Sequence, residues 1–131
     1  MPKGYYERKQ KKKPSVAKLK KKLDAVFSKF IRKRDGTKCF TCGARKPIDQ
    51  LQAGHFVSRS HNILRYDEQN VHAQCIKCNM FLAGNMVNYA IKMQELYGDD
   101  ILKKLRKKSL EIKQFTVKEL EDLIDKYQKL L

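Results

Sequence analysis

Two short stretches of the sequence, CFTC at residues 39–42 and CIKC at residues 75–78, decide how this chain folds. Each is a CxxC pair, and together they use all four cysteines of the 131-residue chain. The two-residue spacing lets both sulfurs of a pair face one metal ion, and two pairs complete a tetrahedral site. The pattern predicts a structural zinc ion bound by Cys39, Cys42, Cys75 and Cys78, with a redox-active cysteine pair as the alternative.

The segment between the two CxxC pairs is long and contains every histidine of the chain. Thirty-two residues separate Cys42 from Cys75, which is too many for a compact zinc ribbon. The histidines are His55, His61 and His72. A single histidine is usually structural, but three within eighteen residues, enclosed by a zinc site, favour a functional site in this segment.

The charge of the chain limits its partners. Thirty Lys and Arg residues against fourteen Asp and Glu give a net charge of +16, most of it within the first 38 residues. Such an excess indicates a polyanion as partner, because each neutralised phosphate releases condensed counterions. The sequence shows neither an apolar run long enough to span a membrane nor a secretory signal. We therefore expect a cytoplasmic protein without a membrane partner.

Composition and hydrophobic periodicity divide the chain into four parts. We expect a disordered basic arm over residues 1–14, a basic amphipathic helix over 15–35, a zinc-stapled core over 36–98 and C-terminal helices over 99–131. Pro14 and Ser15 are start signals for the first helix, and Asp35 with Gly36 a stop signal. Its lysine-rich outer side is interpreted as a surface that faces phosphates, with an ordinary solvated surface as the alternative.

Within the core, the sequence predicts two short strands and a longer helix. The strands are expected at about 51–57 and 63–67, and the helix at about 78–97, ended by Gly98. A short helix to about residue 108 and a last helix from Thr116 should follow. Thr116 and Glu119 have the spacing of a capping box.

The order of residues in this segment resembles the HNH nuclease pattern, in which a strand histidine is followed by an asparagine and by a His or Asn after the second CxxC pair. Here these positions are His55, Asn70 and Asn79. A closer resemblance is to the phage NinG/Rap recombination proteins. It rests on the residues GHF at 54–56 with SR at 58–59, LRYD at 64–67, NVH at 70–72 and QC at 74–75, CN at 78–79, GN at 84–85 and NY at 88–89.

This resemblance implies a fold and a set of residue roles. The fold would be small α+β, with a zinc-stabilised ββα-metal (HNH) core and flanking helices. His55 would be the general base, Asn79 a ligand of a catalytic Mg²⁺ or Mn²⁺, and Arg59 a contact to a phosphate oxygen. Asn70 would fix the loop between hairpin and helix and so orient the base.

The chain departs from the HNH pattern at one position. Many HNH enzymes place an Asp or His directly before the catalytic histidine as a metal ligand, whereas this chain has Gly54. His72 is the first candidate to replace that ligand, although a core role for His72 is an equal alternative. Asp67 and Asp49 are further candidates.

The resemblance favours a metal-dependent DNA endonuclease that acts on branched recombination intermediates similar to Holliday junctions. A phage-encoded protein of this kind would work in the host bacterial cytoplasm. A junction-cleaving enzyme needs two active sites, which would make the protein a homodimer. The alternative is a non-catalytic, zinc-containing module that binds nucleic acid, and the glycine at position 54 favours it.

Overall fold

The first element of the computed structural model, which describes residues 14–131, is a long helix, α1 (Val16–Asp35). The Ser15 hydroxyl accepts a hydrogen bond from the Lys18 amide at 3.2 Å and caps its start. Gly36, at φ 77°, ends it by donating to the Arg32 carbonyl at 3.0 Å. The predicted start and stop are confirmed. The predicted basic arm lies, apart from Pro14, outside the described residues.

A two-stranded antiparallel sheet lies between the cysteine pairs. Strand β1 (Leu51–His55) pairs with β2 (Val71–Cys75), and Gly54 is opposite His72. The first strand is close to its predicted bounds, but the predicted strand at 63–67 is wrong. That stretch contains a single helical turn, α2 (Asn62–Arg65). All five residues of β2 are buried, including the polar His72 and Gln74 that alternate with its apolar residues.

The predicted helix at 78–97 is interrupted, and that prediction is wrong in its first half. Residues Lys77–Phe81 form a π-helical turn, and a regular helix, α3 (Met86–Tyr97), begins only later. Between them Ala83, Gly84 and Asn85 adopt left-handed conformations, with φ of 49°, 91° and 50°. Three consecutive residues with positive φ cannot continue an α-helix. The predicted end of α3 at Gly98 is confirmed.

Two more helices complete the chain, α4 (Ile101–Ser109) and α5 (Val117–Lys129). The capping box predicted for α5 is confirmed. The Thr116 hydroxyl accepts from the Glu119 amide at 3.1 Å, and the Glu119 carboxylate accepts from the Thr116 amide at 3.2 Å.

The apolar side chains form two cores on either side of the hairpin. In one, α1 and α5 pack together against the sheet around Leu23, Phe27 and Leu120. In the other, α2, α3 and α4 enclose Leu64, Tyr89 and Leu105. The fold is therefore small α+β, as expected. Among the described residues no helix has both the length and the apolar character needed to cross a membrane.

Candidate functional site

The four cysteines come together at the base of the hairpin. Their sulfur atoms all lie within 4.8 Å of one another, and the Cys42 and Cys75 sulfurs are 3.8 Å apart. Zinc–sulfur bonds of about 2.3 Å in a tetrahedron place the sulfurs about 3.8 Å apart. The Cys39 and Cys42 pair precedes β1, and the Cys75 and Cys78 pair begins at the end of β2. The arrangement fits a structural zinc ion that joins both ends of the hairpin.

The pKa values of the clustered cysteine thiols indicate that the thiols need a bound cation to ionise together. Burial raises the pKa of Cys75, and burial together with the neighbouring sulfurs raises the pKa of Cys42 to about 12. Burial also raises the pKa of Cys39, but hydrogen bonds from Thr41 and from backbone amides outweigh it and bring this pKa down to about 6. Four adjacent thiols therefore cannot all ionise by themselves, whereas a dication would stabilise four thiolates.

His55 ends β1 in a position to act as a base. One ring nitrogen, Nε2, lies 2.9 Å from the backbone carbonyl of Arg65. Because a carbonyl only accepts hydrogen bonds, Nε2 carries the hydrogen and Nδ1 has the free lone pair. Burial lowers the pKa of His55 below its ordinary value of 6.5, more than the Arg65 carbonyl and the charge of Asp24 raise it. The ring is therefore neutral, and able to take a proton, at neutral pH.

Asn79 and Arg59 lie beside His55. All three residues line two adjoining clefts of about 480 and 260 Å³ along the outer edge of β1. Asn79, on the π-helical turn, donates through Nδ2 to the Gln52 amide oxygen at 2.8 Å. Its own amide oxygen has no hydrogen-bond partner within residues 14–131. The structure thus brings together three of the five residues predicted for the catalytic site.

Asn70 is buried behind this cleft, where it closes the loop between the two strands. Its Oδ1 accepts from the Val57 amide at 2.8 Å, and its Nδ2 donates to the Val57 and Leu64 carbonyls at 2.9 and 3.0 Å. Both polar atoms of the Asn70 side chain therefore hold the chain between these two residues in place, next to Arg65, whose carbonyl orients His55. Asn70 thus fixes a loop, but it is the loop between the two strands and not the expected one between hairpin and helix.

The space where residue 54 would carry a side chain is filled by Gln74. A Cβ atom built on Gly54 would lie 1.8 Å from the Gln74 amide oxygen. Gln74 is held in this orientation because its Nε2 donates to the Gly84 carbonyl at 2.8 Å and to the Thr41 hydroxyl at 3.1 Å. The buried Gln74 Oε1 has no hydrogen-bond partner in the described part of the chain. Position 54 therefore has to be glycine as long as Gln74 packs here.

His72 does not line the clefts at His55, so the structure does not bring it to Asn79 as the expected metal ligand. Only 1% of its surface is exposed. The Tyr89 hydroxyl donates to the Gly54 carbonyl at 2.7 Å, so it accepts from His72 Nδ1 at 3.0 Å. His72 Nε2 then accepts from the Tyr97 hydroxyl at 2.8 Å. Both ring nitrogens are in use, and the alternative of a core histidine agrees with the geometry.

His72 should make the protein less stable in mild acid. Burial, with the charge of Arg34 as a smaller cause, lowers the pKa of His72 to about 4. Below about pH 6.5 the unfolded chain binds a proton here, and the folded protein does not until about pH 4. The free energy of unfolding should thus fall by about 3 kcal/mol over this range through His72 alone.

Urea unfolding of the parent protein and of His72→Gln, measured from pH 7 to 4, checks this prediction. The glutamine keeps an amide for the two tyrosines but binds no proton in this range, so its stability should fall less steeply. Equal slopes for the two proteins would contradict the assignment of a neutral, buried His72.

Two carboxylates considered from sequence lie elsewhere, and one that was not considered lies in the cleft. Asp67 forms an ion pair with Lys108 at 2.6 Å, and neither Asp67 nor Asp49 lines the clefts at His55. Asp24 of α1 does line the smaller cleft, where Arg65 Nε donates to it at 2.9 Å and the Tyr66 hydroxyl at 2.9 Å. Asp24 therefore holds Arg65 against α1, and the Arg65 carbonyl in turn orients His55.

Known proteins related to this chain come from bacteriophages. The family model described as bacteriophage lambda NinG protein matches residues 3–131. The chain is 31% identical over 113 residues to protein ninG of Escherichia phage 933W, covering 85% of the chain and 55% of the phage protein. It is 36% identical over 80 residues to protein ninG of Salmonella phage P22, covering 60% of the chain and 39% of that protein.

The aligned region covers most of this chain but only part of each related phage protein. Protein ninG of Escherichia phage lambda is 29% identical over 113 residues, which cover 85% of the chain and 54% of the phage protein. The chain thus spans about half the length of these curated relatives. No solved structure matches it. Because the family model extends over almost every residue, this chain belongs to the NinG family of bacteriophage proteins.

Proposed function

We propose that this NinG family protein is a metal-dependent DNA endonuclease of the HNH type. The observation that carries the proposal is the cleft at the edge of β1. It contains a neutral His55 with a free Nδ1, next to the Asn79 amide and the Arg59 guanidinium. His55 offers a general base, Asn79 an oxygen ligand for a metal ion, and Arg59 a positive charge for a phosphate oxygen. These groups are suited to hydrolysis of a phosphodiester.

Each residue of the cleft has a part in the proposed reaction. His55 Nδ1 takes the proton of the attacking water, while the Arg65 carbonyl keeps the ring in the correct orientation. Arg59 binds a phosphate oxygen of the scissile group. Asn79, whose Oδ1 lacks a partner among residues 14–131, is the proposed ligand of Mg²⁺ or Mn²⁺. When bound, the cation would stabilise negative charge on the phosphate and on the leaving oxygen.

The four-cysteine cluster would have a different part. All four sulfurs lie at one centre, so a zinc ion there would leave no coordination position for substrate. We assign it a structural role, in which zinc fixes the ends of the hairpin that carries His55. DNA is the proposed partner because of the net charge of +16. Branched DNA as the substrate and a homodimer as the working form follow from the resemblance in sequence.

A non-catalytic nucleic-acid-binding module is the second candidate, and one observation favours it. Position 54 has no side chain, and the Gln74 amide fills the space in its place. The cleft therefore lacks the Asp or His that many HNH enzymes use as a second metal ligand. Under this alternative the basic surface would bind DNA, and His55 would only support the loop through the Arg65 carbonyl.

Cleavage assays on three DNA forms test the proposal. Linear duplex, single-stranded and four-way-junction DNA are each incubated with Mg²⁺, with Mn²⁺ or without an added divalent cation. We expect cation-dependent cutting, and the junction should be cut at lower protein concentration than the duplex. Binding to all three forms without any cutting would favour the second candidate.

A further inference from the structure

The π-helical turn exposes apolar side chains beside the candidate active site. Phe81 is 81% exposed, and its neighbours Met80 and Leu82 are also largely exposed. We call these three residues the apolar turn. It directly follows Asn79, and Ala83 and Gly84, which come next, line the same cleft as His55. Phe81 itself lines neither cleft, but it lies between Asn79 and Ala83, which line the cleft of His55, so a molecule bound at that cleft could bury the exposed ring.

The apolar turn is held rigidly. The Leu82 amide donates to the Lys77 carbonyl at 2.9 Å, and the Gly84 amide donates to the Cys78 carbonyl at 2.8 Å. The buried Gln74 side chain donates a hydrogen bond to the Gly84 carbonyl. Ala83 has a left-handed backbone at φ 49°, which is unfavourable for a residue with a side chain. Backbone strain kept next to an exposed aromatic side chain is typical of a functional segment.

The surroundings of the turn suit a polyanion. No Asp or Glu occurs between Glu68 and Glu95, a stretch that includes β2, the turn and most of α3. Lys77 is exposed at the start of the turn, and the exposed Arg59 lines the adjacent clefts. A phosphate backbone could therefore approach this face without meeting a carboxylate of these segments, and Asp24, which lines the smaller cleft, is paired with Arg65.

We propose that Phe81, supported by Met80 and Leu82, stacks on an unpaired or unstacked base where DNA is branched. Every base presents a π face to an aromatic ring, and apolar side chains inserted between base steps are a known way to hold distorted DNA. The rigid turn reduces the entropy that binding would otherwise cost. This inference rests on the proposed function, and it adds a reason why branched DNA would be preferred over duplex.

The test compares Phe81→Ala with the parent protein in the absence of added Mg²⁺ or Mn²⁺, where no cleavage is expected and the structural zinc is kept. A four-way junction carries 2-aminopurine at the branch point, and its fluorescence reports unstacking of that base. The parent protein should change this fluorescence, and Phe81→Ala should not. Affinity for the junction should fall about tenfold in the variant, and affinity for linear duplex should stay within about twofold.

Ile112→Ala is the matched control, because Ile112 is an apolar side chain that is 95% exposed but lies in the loop between α4 and α5, outside the apolar turn. It should bind and respond like the parent protein. Equal fluorescence and junction affinity in Phe81→Ala and the parent would overturn the inference. So would a change in the sedimentation of DNA-free protein on Phe81→Ala, because the turn would then contact a second copy of the chain. Since these measurements need no cleavage, they can fail while the nuclease proposal stands, and the reverse also holds.

Discussion

Replacement of His55 by alanine is expected to reduce DNA cleavage by at least about 100-fold, within the range of 10² to 10⁴ typical of a lost general base. The ring has a free Nδ1 because Nε2 is fixed on the Arg65 carbonyl. Alanine removes that basic nitrogen and leaves the four cysteines untouched. Single-turnover cleavage rates of the parent protein and of His55→Ala, at saturating Mg²⁺ or Mn²⁺, give the ratio.

The dependence on pH and on metal separates a base from a structural histidine. The reactive form of His55 is neutral and its pKa lies below 6.5, so the parent rate should rise with pH below that value and level off by neutral pH. Asn79→Ala serves as the comparison, since its defect should shrink as Mg²⁺ or Mn²⁺ is raised, whereas the His55→Ala defect should not. A His55→Ala protein that binds zinc and cuts DNA at the parent rate would rule out His55 as the base.

Replacement of Cys39 or Cys78 by serine is expected to unfold the protein or to lower its stability drastically. Structural zinc contributes about 10 to 16 kcal/mol in small zinc domains, which is comparable to the whole stability of about 5 to 15 kcal/mol of a typical protein. Cys39 precedes β1 and Cys78 follows β2, so the zinc ion connects the two strands and either change should release both. Circular dichroism and urea unfolding, with metal analysis of the same samples, measure the effect.

Removal of zinc from the parent protein by a strong chelator is the control for these variants. It should produce the same loss of structure, and added zinc should restore the parent protein but not the variants. We expect about one zinc ion per chain in the purified protein. A zinc-free protein that keeps its unfolding free energy would contradict the structural role of the cluster.

Local signals in the sequence were sufficient for several elements of the fold. The first helix, its cap at Ser15, the capping box at Thr116 and the end of α3 at Gly98 all depend on residues close together in the chain. The close approach of the four cysteines was also predictable, because CxxC spacing leaves few other geometries.

Elements determined by contacts distant in sequence could not be predicted in the same way. Strand β2 is an exception, because its alternating sequence VHAQC is typical of a strand, but the prediction placed the second strand at 63–67, where the chain forms a helical turn. Asp24 reaches the cleft only because α1 packs across the hairpin, and nothing in its lysine-rich neighbourhood indicates that. The burial of His72 and its two hydrogen bonds depend on tyrosines 17 and 25 residues further along the chain, which the sequence around His72 does not indicate.

The most direct test of the central claim is cleavage of a four-way junction by folded, zinc-containing parent protein. Zinc content and circular dichroism are recorded on the same sample, so that lost structure cannot be mistaken for lost activity. We predict that cut strands appear with Mg²⁺ or Mn²⁺ and are absent when neither cation is added. Intact junction, duplex and single strand after prolonged incubation with either cation would contradict the claim that this chain is a nuclease.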